Sequence, residues 1–209
     1  EIEDRTIKNA VLGHTGTITF QTAMNYSLNT GMVEIAIRLG GGQINKTARV
    51  TMYDYYHNRF GLGEKTGVEI YEEKGTVISP EESEGNAVRY SNMSFGQGMN
   101  TTMIQTASAF SSIINGGTLY KASVLNGDVD SECNFKESSS EIRKDNVVKS
   151  TTSDQIREIL VTARHSVGTN NDLAGYQVGG KTGTSQTIEN GVYVDDQTIG
   201  SYLGFGGNS

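Results

Sequence analysis

Where the glycines fall constrains this chain more than any other feature. There are 26 of them in 209 residues, against a single proline, Pro80. Three groups of them read differently. In "NTGMVEIAIRLGGG", Gly40 to Gly42 stop a run in which Met32, Ile35, Ala36 and Leu39 recur at helical spacing, which predicts one apolar helical face. In "NTTMIQTASAFSSIINGG", Gly116 and Gly117 close a second such run, with Asn100 or Thr101 as cap and Met103, Ala107, Phe110 and Ile114 as its buried face. In "VGGKTGTSQT", Gly179 and Gly180 lie inside a predicted strand, where missing side chains would let a ligand approach the backbone closely. Helices gather early and a sheet late, the pattern of an α+β fold.

The remaining signals fill in one expected unit. Thr19 is placed to cap a helix beginning at Phe20, so Ser27, Leu28 and Asn29 fall at the join between two helices. Asn45 would cap a third helix in "NKTARVTMYDYYHNRF" that ends at Gly61. The stretch "GLGEKTGVEIYEEKGTVISPEESEG", with short alternating strand-like pieces and many acids, reads as a surface excursion. "TLYKASVL" suits a strand, and 126–150 a variable loop or small hairpin. A helix over Ser153 to His165 follows, with Thr152 and Gln155 in capping-box spacing and Ile156, Ile159, Leu160 and Ala163 on one face. "GYQVGGKTGTSQT" and "NGVYVDDQTIGSYLGFG" then read as adjacent antiparallel strands joined by a turn at "IENG".

Several function classes are disfavoured. The formal net charge is −7 and no Lys/Arg cluster occurs, so nucleic acid is not an expected partner. Cys133 is the only cysteine, and His14, His57 and His165 stand in unrelated contexts, so no metal site and no cofactor are expected. No apolar run approaches the roughly 18 residues of a membrane span, and "EIEDRTIKNA" has neither the basic nor the apolar part of a signal peptide.

Two short motifs can carry chemistry. The tripeptide KTG occurs twice, at Lys65 to Gly67 and at Lys181 to Gly183. The second copy offers a cation from Lys181, hydroxyls from Thr182 and Thr184, and backbone N–H groups that can polarise a carbonyl. The plain alternative is a Gly-rich strand with a solvated lysine. In "YSLNTG", Ser27 and Asn29 can aim a hydroxyl and an amide into one cleft, to shuttle a proton and hold a peptide carbonyl. The plain alternative here is that Asn29 caps one helix and Ser27 satisfies the end of the other.

Order and context connect these motifs. The chain resembles the transpeptidase domain of penicillin-binding proteins, most closely the class B, monofunctional kind. "RTIKNAVLGHTGTITFQTAMNYSLNTGMVEIAIRLG" is similar to the family stretch around its SxN motif, which falls on Ser27 and Asn29. "RFGLGEKTGVEI" resembles a later family segment, "SFGQGMNTTMIQTASAFSSIINGGTLYKASVL" the Gly-Gln-Gly turn and its helix, and "GYQVGGKTGTSQT" the KTGT strand. The resemblance covers nearly all of 1–209, apart from the acidic excursion and the polar stretch 126–150.

The resemblance implies the penicillin-binding protein and serine β-lactamase-like fold, an antiparallel sheet with helices. It implies a D,D-transpeptidase in which an SxxK serine is acylated by the D-Ala-D-Ala end of a peptidoglycan stem peptide and β-lactams acylate the same serine. Ser27 would relay the proton to the leaving amine, Asn29 would hold the substrate, and Lys181 would be linked to Ser27. Thr182, Gly183 and Thr184 would bind the substrate carboxylate, with the Thr184 N–H as half of the oxyanion hole. The protein would work on the extracytoplasmic face of a bacterial membrane, anchored by another segment and alongside other cell-wall synthesis proteins.

The departure is that no Ser here has a Lys three residues on, and only 26 residues precede Ser27. The expectation is therefore a partial domain, incomplete at both ends, with no nucleophile and no activity alone. A non-catalytic binding or sensing module on the same scaffold, and a D,D-carboxypeptidase or β-lactamase-like hydrolase, are the alternatives.

Overall fold

The computed structural model describes residues 1–10, 13–14, 16–168, 174–189 and 192–208. They form two compact units, one made of Glu1–Thr51, Pro80–Gly98 and Gln155–Ser209, the other of Met52–Ser79 and Met99–Asp154.

The first unit opens with α1 (Phe20–Asn25), and the Thr19 side chain accepts from the Thr22 N–H as the sequence suggests. α2 (Asn29–Leu39) follows after three residues. α3 (Lys46–Tyr53) starts under the Asn45 carboxamide, which accepts from the Ala48 N–H. The face that α2 buries differs from the expected one. Val33 and Ala36 are buried, whereas Ile35 and Leu39 stay exposed. α2 packs against α1 and α4 (Ala87–Met93), and these neighbours rotate its inward face away from the stripe drawn by spacing alone. Gly31 sets the α1–α2 approach, since a Cβ there would lie 2.4 Å from the Ala23 Cβ.

α4 escaped the sequence reading. Only its Asn86 cap, which accepts from the Arg89 N–H, announces it, and it buries Tyr90, Ser91 and Met93. The late helix, α6 (Ser150–Val167), starts earlier than expected, so Thr152 sits in its first turn and not at its cap. Leu160, Val161 and Ala163 are buried, and the Ile159 carbonyl accepts from the Gln21 side chain of α1.

The last elements of this unit are β5 (Tyr176–Glu189) and β6 (Val192–Asn208), antiparallel as expected. Part of the expected turn at "IENG", residues 190 and 191, lies outside the described residues.

In the second unit a π-helical turn (Asp54–Arg59) continues from α3, and a loop leads to α5 (Met103–Ile114). Thr102, not Asn100 or Thr101, caps α5. Its buried side chains are Gln105, Ala109 and Ser112, while Met103, expected inside, is 91% exposed. Each inward polar side chain makes one hydrogen bond there, although the buried Gln105 Nε2 has no partner among the described residues. The Gln105 Oε1 accepts from the buried Gly63 N–H, and the Ser112 hydroxyl donates to the Ala109 carbonyl. A periodicity rule scores such residues as outward-facing.

Of the expected strand "TLYKASVL" only β1 (Leu119–Tyr120) forms, paired with β4 (Ile142–Lys144). β2 (Gly127–Val129) and β3 (Phe135–Glu137) make a hairpin between them. The acidic excursion holds no regular strand among the described residues, only an isolated bridge between Thr76 and Asn100.

Candidate active site

Ser27 occupies the turn that ends α1. The Ser27 N–H donates to the Met24 carbonyl at 3.3 Å and the Leu28 N–H to the Ala23 carbonyl at 2.9 Å, the paired bonds of a Schellman motif. That motif places its middle residue in the left-handed region, and Ser27 has φ 52°. α2 ends the same way, with the Gly41 and Gly42 N–H groups on Arg38 and Ile37, but there the left-handed residue is Gly41 at φ 71°. A side chain in this conformation costs about 1–2 kcal/mol, which Gly avoids. Leu28, 1% exposed, fixes the turn to the core and contributes roughly 1.5–3 kcal/mol by its burial.

Asn29 is the first residue of α2 and does not cap it, contrary to the plain reading of the motif. Leu28 stands at the N-cap with no side-chain bond, and the Asn29 Nδ2 donates to the Lys8 carbonyl at 3.0 Å. The capping acceptor is Asn9, whose Oδ1 takes the Thr30 N–H at 3.0 Å and the Thr30 hydroxyl at 3.1 Å.

On β5, Lys181 pairs with Leu203, Thr182 with Tyr202, Gly183 with Ser201 and Thr184 with Gly200. The glycines before Lys181 do not open the strand to a ligand as expected. A Cβ at Gly179 would lie 2.3 Å from the Phe205 ring, and one at Gly180 would lie 2.4 Å from the Tyr202 hydroxyl. Both glycines are buried under aromatic rings of the neighbouring strand, which fill the space a side chain would need. Gly183 follows the same rule, with a Cβ there 2.6 Å from the Ser201 Oγ. Since side chains alternate along a strand, Thr182 and Thr184 leave the face opposite to Lys181, and both are exposed.

The decisive contact joins the two motifs. The Lys181 ammonium donates to the Ser27 hydroxyl, and also to the Thr182 carbonyl at 3.1 Å. Burial holds the Lys181 pKa below the ordinary lysine value, because the charged form loses water there. A lysine so biased toward its neutral form, touching a hydroxyl on a strained turn, can pass a proton through that hydroxyl.

The structure thus brings Ser27 and Lys181 together, holds Asn29 on the same hinge, and puts Thr182 and Thr184 on the far face of the strand. No group of His, Cys, Asp or Glu able to hold a metal occurs among the described residues.

The first KTG is built differently. Lys65 is exposed, Thr66 is 4% exposed, and the Glu72 carboxylate accepts from the Thr66 N–H and hydroxyl and the Gly67 N–H. Burial pushes the Glu72 carboxyl up, but those three bonds outweigh it and hold its pKa below the usual range. This copy is a closed loop anchor. Sequence reasoning missed Lys8 and Asn9, which act through a backbone carbonyl and a long-range cap, and also Tyr202 and Phe205. Gly179 directly opposite Phe205, and Gly180 diagonal to Tyr202 across the strand pair, would have been the signal for those two.

The penicillin binding protein transpeptidase domain model matches residues 2–207. The chain belongs to the penicillin-binding protein transpeptidase family. It is 35% identical to stage V sporulation protein D of Bacillus subtilis over 195 residues, covering 92% of this chain and 28% of that protein. It is 28% identical to a probable peptidoglycan D,D-transpeptidase of Neisseria flavescens, covering 74% of this chain and 36% of that one. Among solved structures it superposes on penicillin-binding protein 3 of Mycobacterium tuberculosis, complexed with aztreonam, with TM-score 0.81 and 25% identity, over 97% of this chain and 45% of that one. The chain therefore spans about a third of the length of these two curated relatives. The penicillin-binding transpeptidase fold, mixed α+β with antiparallel sheets, is the one expected from the sequence.

Proposed function

We propose that these residues form part of a serine-type D,D-transpeptidase that cross-links peptidoglycan stem peptides and is acylated by β-lactams. The observation that carries this reading is the Lys181–Ser27 hydrogen bond, made between the two motifs that the family places at its reaction centre. A serine supplied from outside this sequence, which has no Ser-x-x-Lys, gives its proton to the lysine of its own Ser-x-x-Lys motif and attacks the carbonyl of the penultimate D-Ala. The peptide C–N bond breaks, and the leaving D-Ala amine takes its proton through the Ser27 hydroxyl from Lys181. The amine of a neighbouring stem peptide then attacks the ester and releases the serine.

In this reading the Asn29 amide holds the substrate's amide carbonyl. Thr182, Gly183 and Thr184 line the carboxylate end through their backbone, since the two threonine side chains leave the face opposite to Lys181, and the Thr184 N–H supplies half of the oxyanion hole. The work is done on the extracytoplasmic face of a bacterial membrane, with an anchor and cell-wall synthesis partners outside this sequence. A second reading, a non-catalytic binding module on the same scaffold, applies if the full-length protein carries no Ser-x-x-Lys.

Fluorescent penicillin separates the two. A full-length protein containing this segment and an upstream Ser-x-x-Lys is expected to label covalently, and the 209-residue chain alone is not. Stable labelling of the isolated chain overturns the residue assignment, and an unlabelled full-length protein overturns the enzyme.

A further inference from the structure

The turn at Ser27 is closed by its own backbone bonds and by buried Leu28, but the start of α2 has no side-chain cap of its own. Ser27 sits in the left-handed region, and α2 starts at a Leu that has no side-chain oxygen with which to cap it. What holds the start of α2 is a segment about twenty residues upstream. The Asn9 Oδ1 receives both the Thr30 N–H and the Thr30 hydroxyl, and the neighbouring Lys8 carbonyl receives the Asn29 Nδ2. The second bond also settles how the Asn29 amide is turned. Its NH2 end must face the Lys8 carbonyl, which leaves its Oδ1 and its second N–H for another partner.

We infer that the Lys8–Asn9 segment is the positioning element of the amide subsite, and that Asn9 is a positioning residue for Asn29. The inference rests on the transpeptidase reading. Lys8 acts through its main chain, so Asn9 is the side chain through which the element can be tested. Both Asn9 bonds use it as an acceptor, so Asp keeps them and adds a charge suited to a helix N-terminus, whereas Ala loses both. A displaced Asn29 affects ligands that present an amide carbonyl to it more than ligands that do not. Ampicillin carries an acylamino side chain, whereas imipenem carries a hydroxyethyl group in that place.

The test measures acylation rates of the full-length wild type, Asn9→Ala and Asn9→Asp by both antibiotics, together with thermal midpoints. The expected result is that N9A reacts with ampicillin about ten- to a hundredfold more slowly, with a smaller loss for imipenem and a nearly unchanged midpoint. N9D returns close to wild type. If N9A does not fold, Asn9→Ser, with a shorter acceptor, reads the same ratio. An unchanged N9A, or an equal loss with both antibiotics that N9D does not reverse, overturns the inference while leaving the function intact. A wild type that neither antibiotic acylates overturns the transpeptidase reading, and this inference with it.

Discussion

Lys181 and Ser27, 154 positions apart in sequence, meet through a direct hydrogen bond in which the lysine donates to the serine hydroxyl. Lys181 comes from β5 and Ser27 from the left-handed turn between α1 and α2, so the contact exists only when sheet and helices are assembled. Its partners are a cation partly stripped of water and a hydroxyl held on a strained backbone.

In the full-length protein, Lys181→Ala is expected to slow acylation by about a hundredfold or more, the usual worth of a positioned proton-transfer group. Lys65→Ala is expected to leave the rate unchanged, because Lys65 projects into solvent from a loop anchored by Glu72. Labelling rates with fluorescent penicillin check both, and equal effects would show that the wrong KTG had been chosen.

Burial of Lys181 sets a pH dependence. In the proposed route the charged Lys181 gives its proton to the leaving amine, so acylation is expected to fall as pH rises through an apparent pKa below the ordinary lysine value. That limb should vanish in K181A. Stability runs in the opposite direction. Below the lowered folded pKa the lysine is charged in both states and the burial cost is fully present. Between the folded and unfolded values the unfolded chain binds more protons, so stability rises with pH. Urea titrations across the alkaline range, with K181A as reference, measure this.

The left-handed Ser27 predicts a separation of stability from activity. Ser27→Gly and Ser27→Ala both remove the hydroxyl that meets Lys181, but only Gly relieves the backbone. S27G is expected to exceed S27A in stability by about 1 kcal/mol, while both acylate poorly. Denaturant midpoints against labelling rates test the pair, and S27G no more stable than S27A would remove strain from the description of this turn.

Gly31→Ala tests the packing under the hinge. The added methyl would meet the Ala23 Cβ at 2.4 Å, so α1 and α2 must separate. A loss of about 1–3 kcal/mol is expected, with slower acylation because Ser27 and Asn29 ride on the two helices. An unaltered thermal midpoint would contradict the close approach.

The helices were legible wherever a cap and a glycine stop flank an apolar repeat. Thr19, Asn45 and the Gly40 to Gly42 triplet act locally as their chemistry dictates, through bonds to residues within a turn or so of themselves. The antiparallel pairing of β5 with β6 was legible as well, as were Ser27, Asn29 and Lys181 as candidates. Which face each helix buries was not. α5 turns Gln105 and Ser112 inward, where the Gln105 Oε1 accepts from the Gly63 N–H and the Ser112 hydroxyl donates to the Ala109 carbonyl, and Met103 is left outside.

The sequence by itself determined the local pieces: caps, stops, strand alternation, and the residue types able to move a proton. Only the tertiary structure decided that Phe205 and Tyr202 cover the glycines before Lys181, that Lys8 and Asn9 hold a helix they do not belong to, and that Lys181 reaches Ser27. The physical reason is one of range. Caps and turns are satisfied within a few residues, so composition and spacing reveal them. Contacts across 21 or 154 positions depend on how separately formed elements pack, and the hydrogen-bonding need of one residue does not say which distant residue will meet it.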